Sequence, residues 1–384
     1  MQPILESTPQ QAPGKDTVEV KSVEPQGEAA VRFLPGHRHQ EKGLNLALQG
    51  GGAHGAFTWG VLDALLKNAA YKIDGVSGTS AGAVNAVALA AGYLEGGTEG
   101  ARQKLDDVWR AINRSQNYVP GSYLPGRRKL HSSAVAAPVS GPNAAHVFFR
   151  AMSRVFSPYE FNPLEIDPLK LILEQHIDFA ALQKHAPMAL FINATEANSG
   201  RGRIFSGAEI SLDVVLASAC LPALRHAVKI GDQYYWDGGY SSNPPIMPLI
   251  ESCRAADTMI VRLTPERTDE LPKRARDIQG NVNHIMFAQP LRREVEMIEL
   301  ARRMAESGVA VTDSLAHRMK GHRFHLLDGA PFTGELTVDS HMTPDWDVLA
   351  YLHQCGIDAT QRWLRRHKAS VGVRSTVNLA KKFL

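Results

Sequence analysis

A short apolar strand that ends in three consecutive glycines, followed at once by helical periodicity, is the pattern that most restricts this chain's fold. Leu44-Asn45-Leu46-Ala47-Leu48-Gln49 runs into Gly50-Gly51-Gly52, after which Phe57, Val61, Leu62, Leu65 and Leu66 recur at spacings of three and four. A stripe at that spacing packs a helix back onto the sheet that its strand belongs to, so the segment predicts a β-loop-α unit. A second unit follows. A strand from about Ile73 to Ser77 enters Gly78-Thr79-Ser80-Ala81-Gly82, and the alanine-rich stretch from Ala81 to Leu94 predicts a helix stopping near Gly96-Gly97. Strands joined this way lie parallel, and ligands gather at their carboxyl ends, where both glycine loops meet. The expected fold class is α/β, with a mainly parallel central sheet.

The loops themselves suggest acyl-transfer chemistry. An ester carbonyl becoming tetrahedral needs preorganised donors at its oxygen, and side chains would block the approach. Gly50, Gly51 and Gly52 remove that block and offer N–H groups at the positive end of a helix. The same letters, Gly50-x-Gly52-x-x-Gly55, also spell the dinucleotide fingerprint, which expects an acidic residue about twenty positions on. Asp74 lies near that distance, but it precedes Gly75 and the serine turn instead of closing an ordinary strand, which disfavours a nucleotide. In the second loop, Gly78 and Gly82 let the backbone turn sharply enough to expose the Ser80 hydroxyl above the sheet. The competing local reading of Ser80 is a helix N-cap. A hairpin from Ala227 to Trp236, turning at Gly231-Asp232, delivers Asp237 into Gly238-Gly239, and those glycines admit close approach to the carboxylate; a plain Asp-Gly turn is the alternative. Ser80 needs a base, either Asp237 directly or a histidine held by it. His284, His317, His325, His341 and His353 all follow Asp237, yet none lies in so distinctive a loop, and a Ser80–Asp237 dyad is favoured.

Composition narrows the function classes. The 384 residues are 44% hydrophobic and 21% charged, enough for a sizeable core, and the net charge of +3 is too mild to suggest a nucleic-acid partner. Cys220, Cys253 and Cys355 are odd in number and lack Cys-x-x-Cys spacing, which fits buried reduced thiols in a cytoplasm and no zinc site. Met1 to about Lys42 has no signal-peptide pattern and is expected to be a disordered tail. The longest apolar run, Ala83 to Leu94, is interrupted by Asn85 and Gly92 and is shorter than the roughly 20 residues that span a bilayer, so no transmembrane helix is expected.

Elsewhere the chain predicts a charged helix from about Gly100 to Asn113 and a mobile loop from Ser115 to Ala145. Ala145 to Phe156 follows with Phe148, Met152, Val155 and Phe156 on one face, a candidate lid or interfacial helix against the plainer reading of a core-packed one. Strands are expected at 187–196, 202–206, 256–263 and 323–327, and helices at 212–219, 283–316 and 344–367. The basic end from Lys368 to Leu384 is expected to be loosely held. The resulting domains are a tail (1–42), a catalytic domain (43–265) and a mainly helical C-terminal extension (266–384).

Taken together, the three motifs resemble the patatin-like phospholipase family, which combines Gly-Gly-Gly-x-Arg/Lys-Gly, Gly-x-Ser-x-Gly and Asp-Gly-Gly or Asp-Gly-Ala in this order. Ala217-Ser218-Ala219-Cys220-Leu221-Pro222 and Asn243-Pro244-Pro245 are similar to further family segments, so the resemblance runs from about Leu44 to Pro248. It implies a three-layer α/β/α fold and a lipid acyl hydrolase, with Ser80 as nucleophile, Asp237 as proton acceptor, Gly51 and Gly52 as oxyanion donors, and no metal or other cofactor. Gly50, His54, Gly55, Gly78, Gly82, Gly238 and Gly239 complete the motifs. His54 departs from the pattern, replacing a permanent positive charge by a titratable one; this moves the expected substrate from phospholipid headgroups toward neutral lipids, short acyl esters or a storage polyester. The partners implied are a lipid or acyl-ester substrate and a peripheral membrane surface. A non-catalytic lipid-binding scaffold on the same fold is the alternative from another class.

Overall fold

The computed structural model describes residues 42–69, 71–115, 157–265, 271–307, 314–334, 336, 340–342 and 344–384. The expected tail (save Lys42), the expected lid helix at 145–156 and nearly all of the loop before it lie outside these residues.

Eight strands form one sheet: β1 (Gly43–Leu48), β2 (Lys72–Gly78), β3 (Ala189–Glu196), β4 (Gly202–Ser206), β5 (Val228–Ile230), β6 (Gln233–Asp237), β7 (Asp257–Arg262) and β8 (Arg323–Asp328). Their order is β5-β6-β3-β2-β1-β7-β8, with β4 also paired to β3. The β3-β2-β1-β7-β8 run is parallel, whereas β4 and β6 lie antiparallel to β3 and β5 lies antiparallel to β6. β1 is central because both its faces are apolar: Leu44, Leu46 and Leu48 enter one core and Ala47 the other.

Helices cover both faces, giving three layers. One layer holds α1 (Gly55–Asn68), α2 (Ala81–Ser115), α3 (Pro168–His176), α4 (Phe179–His185) and α5 (Leu212–Ser218). The other is built by α6 (Met247–Ser252), α7 (Ala275–Glu306), α8 (Ser314–Gly321) and α10 (Leu379–Phe383), whose Leu249, Leu291, Val295, Ile298, Met319 and Phe383 pack on Ile260 and Phe324 of the sheet. α9 (Trp346–His367) rejoins the first layer against α1. α2 breaks at the two glycines expected to end it, Gly96 (φ −156°, ψ 28°) and Gly97 (φ 63°, ψ −144°), and resumes as the charged helix. The basic C-terminus is not loose. Gly372 N–H donates to Asp257 at 2.9 Å, Ser375 Oγ accepts from Phe324 N–H at 3.1 Å, and Leu379 and Phe383 are buried, apolar anchors that outweigh the neighbouring lysines.

Candidate active site

β3 brings the two candidate chemical groups together. Along one edge it pairs with β4 from Phe191 to Thr195; along the other it pairs first with β2, ending at Ile192 opposite Gly78, and then with β6, where Ala194 faces Asp237. β2 runs with β3 and β6 against it, so their carboxyl ends point at each other across the single residue Asn193. The serine turn leaves one end and the Asp-Gly-Gly loop leaves the other. Asn193 fills the gap: its Nδ2 donates to the carbonyls of Gly238 (2.6 Å) and Ser242 (2.9 Å).

Ser80 occupies the left-handed region at φ +55°, a strained conformation for a residue with a side chain. Four hydrogen bonds hold this turn in place. The Ser80 N–H donates to Ser218 Oγ at 2.9 Å, the Ser80 carbonyl accepts the Ala83 and Val84 N–H groups in the first turn of α2, and Thr79 Oγ1 donates to Ser242 O at 2.8 Å. Both flanking glycines are required by space: a Cβ at Gly78 would lie 2.5 Å from Gly82 O, and one at Gly82 would lie 2.1 Å from Leu48 O.

The Asp237 carboxylate is fully buried. Oδ1 accepts the Gly239 N–H at 2.8 Å, while Oδ2 has no formed hydrogen bond among the described residues. Burial drives its pKa up to about 7, against the lowering effects of the Gly239 N–H, the Ser80 hydroxyl and the Arg225 charge. The hydroxyl is therefore close enough to stabilise the carboxylate, although no fully formed bond reaches Oδ2. None of the groups acting on Asp237 is a histidine. His325 bonds Asp257 and Thr376, His353 stacks on Trp59 beside Asp63, His284 engages the Pro265 carbonyl, and His317 is exposed on α8.

The glycine loop adjoins the serine turn, with Gly50 so close that a Cβ there would lie 2.7 Å from that of Ser80. Gly50 N–H is already engaged, donating to Asn243 Oδ1 at 2.7 Å, which removes it from the expected donor set. The N–H groups of Gly51 and Gly52 make no hydrogen bond among the described residues. Gln49 anchors the loop from below: its Oε1 accepts from Leu263 N–H (2.6 Å) and Thr264 N–H (2.9 Å). Gly55 packs on Ala81, Gly238 on the Asn193 carbonyl and Gly239 on the Phe287 ring. Asp74, the acidic residue of the nucleotide alternative, accepts instead from the N–H groups of Arg254 (2.6 Å) and Ala255 (2.8 Å) and shapes a turn.

His54 corrects an expectation. Its Nε2 bonds Ser340 Oγ at 2.7 Å, and enclosure of the ring, together with nearby His341, drives its pKa down to about 3. The ring is neutral throughout the physiological range, so the loop carries neither a fixed nor a titratable positive charge at this position.

Four contributors escaped sequence reading: Gln49, Asn193, Ser218 and Asn243. Ser218 and Asn243 lay inside segments already singled out. Gln49 and Asn193 end or interrupt apolar strands, and a buried amide within a strand is the one signal that could have marked them.

A sequence model described as patatin-like phospholipase matches residues 46–250. Among solved structures, VipD from Legionella pneumophila aligns over 86% of this chain and 67% of its own, with a TM-score of 0.37 and 15% identity. No curated protein gives a significant sequence match.

Proposed function

The chain belongs to the patatin-like phospholipase family, which hydrolyses lipid acyl esters, and from that premise we propose that it works as a serine acyl hydrolase with a Ser80–Asp237 dyad and an acyl-enzyme intermediate. As Ser80 Oγ attacks the acyl carbonyl, Asp237 takes its proton, and the Gly51 and Gly52 amides receive the developing oxyanion. Collapse of the tetrahedral species breaks the ester C–O bond, and Asp237 returns the proton to the leaving alcohol. Asp237 then deprotonates a water that attacks the acyl-enzyme, releasing the carboxylic acid and restoring the Ser80 hydroxyl. The observation that carries this reading is the buried Asp237 carboxylate, near neutrality in pKa, with one oxygen unengaged beside the Ser80 hydroxyl. Deprotonating water and serine calls for a base of that strength.

The neutral His54 ring gives an anionic headgroup nothing to pair with, which supports neutral acyl esters over charged phospholipids. Substrate is met at a lipid surface. Support for this comes from Ile278, Val282 and Ile285, exposed at helical spacing on the first half of α7, with Leu271 exposed before them and Lys273 and Arg274 beside them. The experiment that tests the function is labelling with an organophosphonate, read by intact mass, followed by a panel of glyceride and phospholipid substrates. A single adduct that disappears in Ser80→Ala is expected. A wild-type protein that takes no label and cleaves no ester would sink the proposal in favour of a lipid-binding scaffold.

A further inference from the structure

The matched segment ends at residue 250, yet the site is finished by a side chain beyond it. Glu294 lies on α7, its stem partly exposed and its carboxylate enclosed by protein. Oε2 accepts the N–H groups of Ile246 (2.6 Å) and Met247 (3.2 Å), and Oε1 accepts from the Ser242 hydroxyl. Three donors from one bend of chain therefore converge on a single carboxylate. Two turns of α7 earlier, the Phe287 carbonyl accepts from Asn243 Nδ2 at 3.1 Å, and the Phe287 ring lies over Gly239.

That bend, Ser242 to Met247, is the common support of all three motifs. The Ser242 carbonyl receives Thr79 Oγ1 (2.8 Å) from the serine turn and Asn193 Nδ2 (2.9 Å) from the β3 seam. Asn243 Oδ1 receives Gly50 N–H (2.7 Å), the first amide of the glycine loop, and its carbonyl faces Gln49 Nε2 at 3.3 Å. The bend itself leaves the Asp-Gly-Gly loop, with Ser242 N–H bonded to Gly238 O at 3.0 Å. A shift of the bend would move the nucleophile, the base and the amide donors relative to one another.

We propose that Glu294 is a positioning residue of the ester-cleaving site, clamping the Ser242–Met247 bend so that the serine turn, the glycine loop and the Asp237 loop keep one mutual geometry. This rests on the hydrolase reading above. It makes α7 part of the active site, though no atom of Glu294 touches the reacting groups. What the clamp requires is acceptor geometry more than charge: a glutamine at 294 still offers a carbonyl to the two N–H groups and can donate to the Ser242 oxygen, whereas aspartate is one methylene too short to reach all three donors.

The test is phosphonate titration of the full-length protein with Glu294→Ala, Glu294→Asp and Glu294→Gln, measuring both the fraction of molecules labelled at Ser80 and the labelling rate per labelled molecule, alongside kcat and KM on a soluble short-chain ester. Displacement on the ångström scale costs roughly 10- to 10²-fold. The expected result is full stoichiometry in the alanine and aspartate variants with per-site rate and kcat reduced by that factor, KM little changed, and Glu294→Gln within about threefold of wild type on the same scale. A purely structural role would instead lower the labelled fraction and leave the per-site rate intact, and that result overturns the inference. So does a glutamine variant as slow as alanine. If Glu294→Ala does not fold, Glu294→Asp against Glu294→Gln decides alone. Wild-type protein that fails to label at all refutes the hydrolase reading itself, an outcome distinct from any pattern among the variants.

Discussion

Enclosing a carboxylate in protein raises its pKa, and at Asp237 this has opposite consequences for activity and for stability. In its proposed role as base Asp237 must be ionised, so kcat/KM should fall about tenfold per pH unit below its pKa of about 7 and level off above it, measurable on a soluble ester. For stability the sign reverses. The folded pKa exceeds the ordinary 3.8, so the protonated carboxyl favours the fold at low pH, and that contribution is lost as pH rises through about 7. Asp237→Asn should therefore abolish hydrolysis while raising the melting temperature at pH 8, with the gain shrinking toward pH 4; an unchanged or lower melting temperature at pH 8 would contradict the burial argument. Ser80 and Asp237 were legible in the sequence because glycines flank each of them, and glycines advertise a turn. Asn193, Gln49 and Glu294 were not, since each acts on backbone groups that are distant along the chain and brought close by the sheet and α7. The neutral state of His54 was likewise invisible, because it follows from enclosure beside Ser340 and His341.

Among the elements, the strands and long helices follow hydrophobic period, which is why β1, β2, β3 and α9 were readable in advance. α3 and α4 were not anticipated, although Asp167 before Pro168 and Asp178 before Phe179 are helix-start signals; their side chains accept from Leu169 N–H and Ala181 N–H, each at 2.9 Å. Contact between α1 and α9 could not be inferred from either helix alone. They cross at glycine on glycine: a Cβ at Gly60 would lie 1.9 Å from His353 O, and one at Gly356 would lie 2.2 Å from Phe57 O. Gly356→Ala must force the helices apart. A loss of about 1–3 kcal/mol is expected in chemical denaturation, and a neutral result would mean that the crossing is looser than described. The Asp257 carboxylate makes a second link between segments. Burial alone would raise its pKa, but bonds from His325, Arg323 and the Gly372 N–H hold it below the usual carboxylate range. Its contribution to stability is present above the unfolded pKa and is lost only in strong acid, so Asp257→Ala should destabilise across the neutral range by about 3–5 kcal/mol.

At the scale of the molecule, the described residues form one compact unit, and those of the expected C-terminal extension supply most of one helical layer, the outer strand β8 and the helix that crosses α1. The three motifs lie within the family's own segment, and the layer a later helix joins depends on which side of the sheet it returns to, which the motifs do not carry. Lipid docking also belongs to this scale. Flotation with anionic vesicles should carry the protein upward, and serines at Ile278, Val282 and Ile285 together should abolish that while leaving soluble-ester turnover intact; equal flotation of both proteins would remove α7 from the lipid contact. A last consequence concerns β7. All six of its residues are buried, and its outward row of amides and carbonyls is satisfied by β8. A chain terminated ahead of residue 323 would present that row bare, with Met259, Ile260 and Val261 at its centre as a template for capturing strands from other copies, so such a fragment should precipitate as it is made. The final segment, far from the chemistry in sequence, is what keeps the protein from seeding its own aggregation.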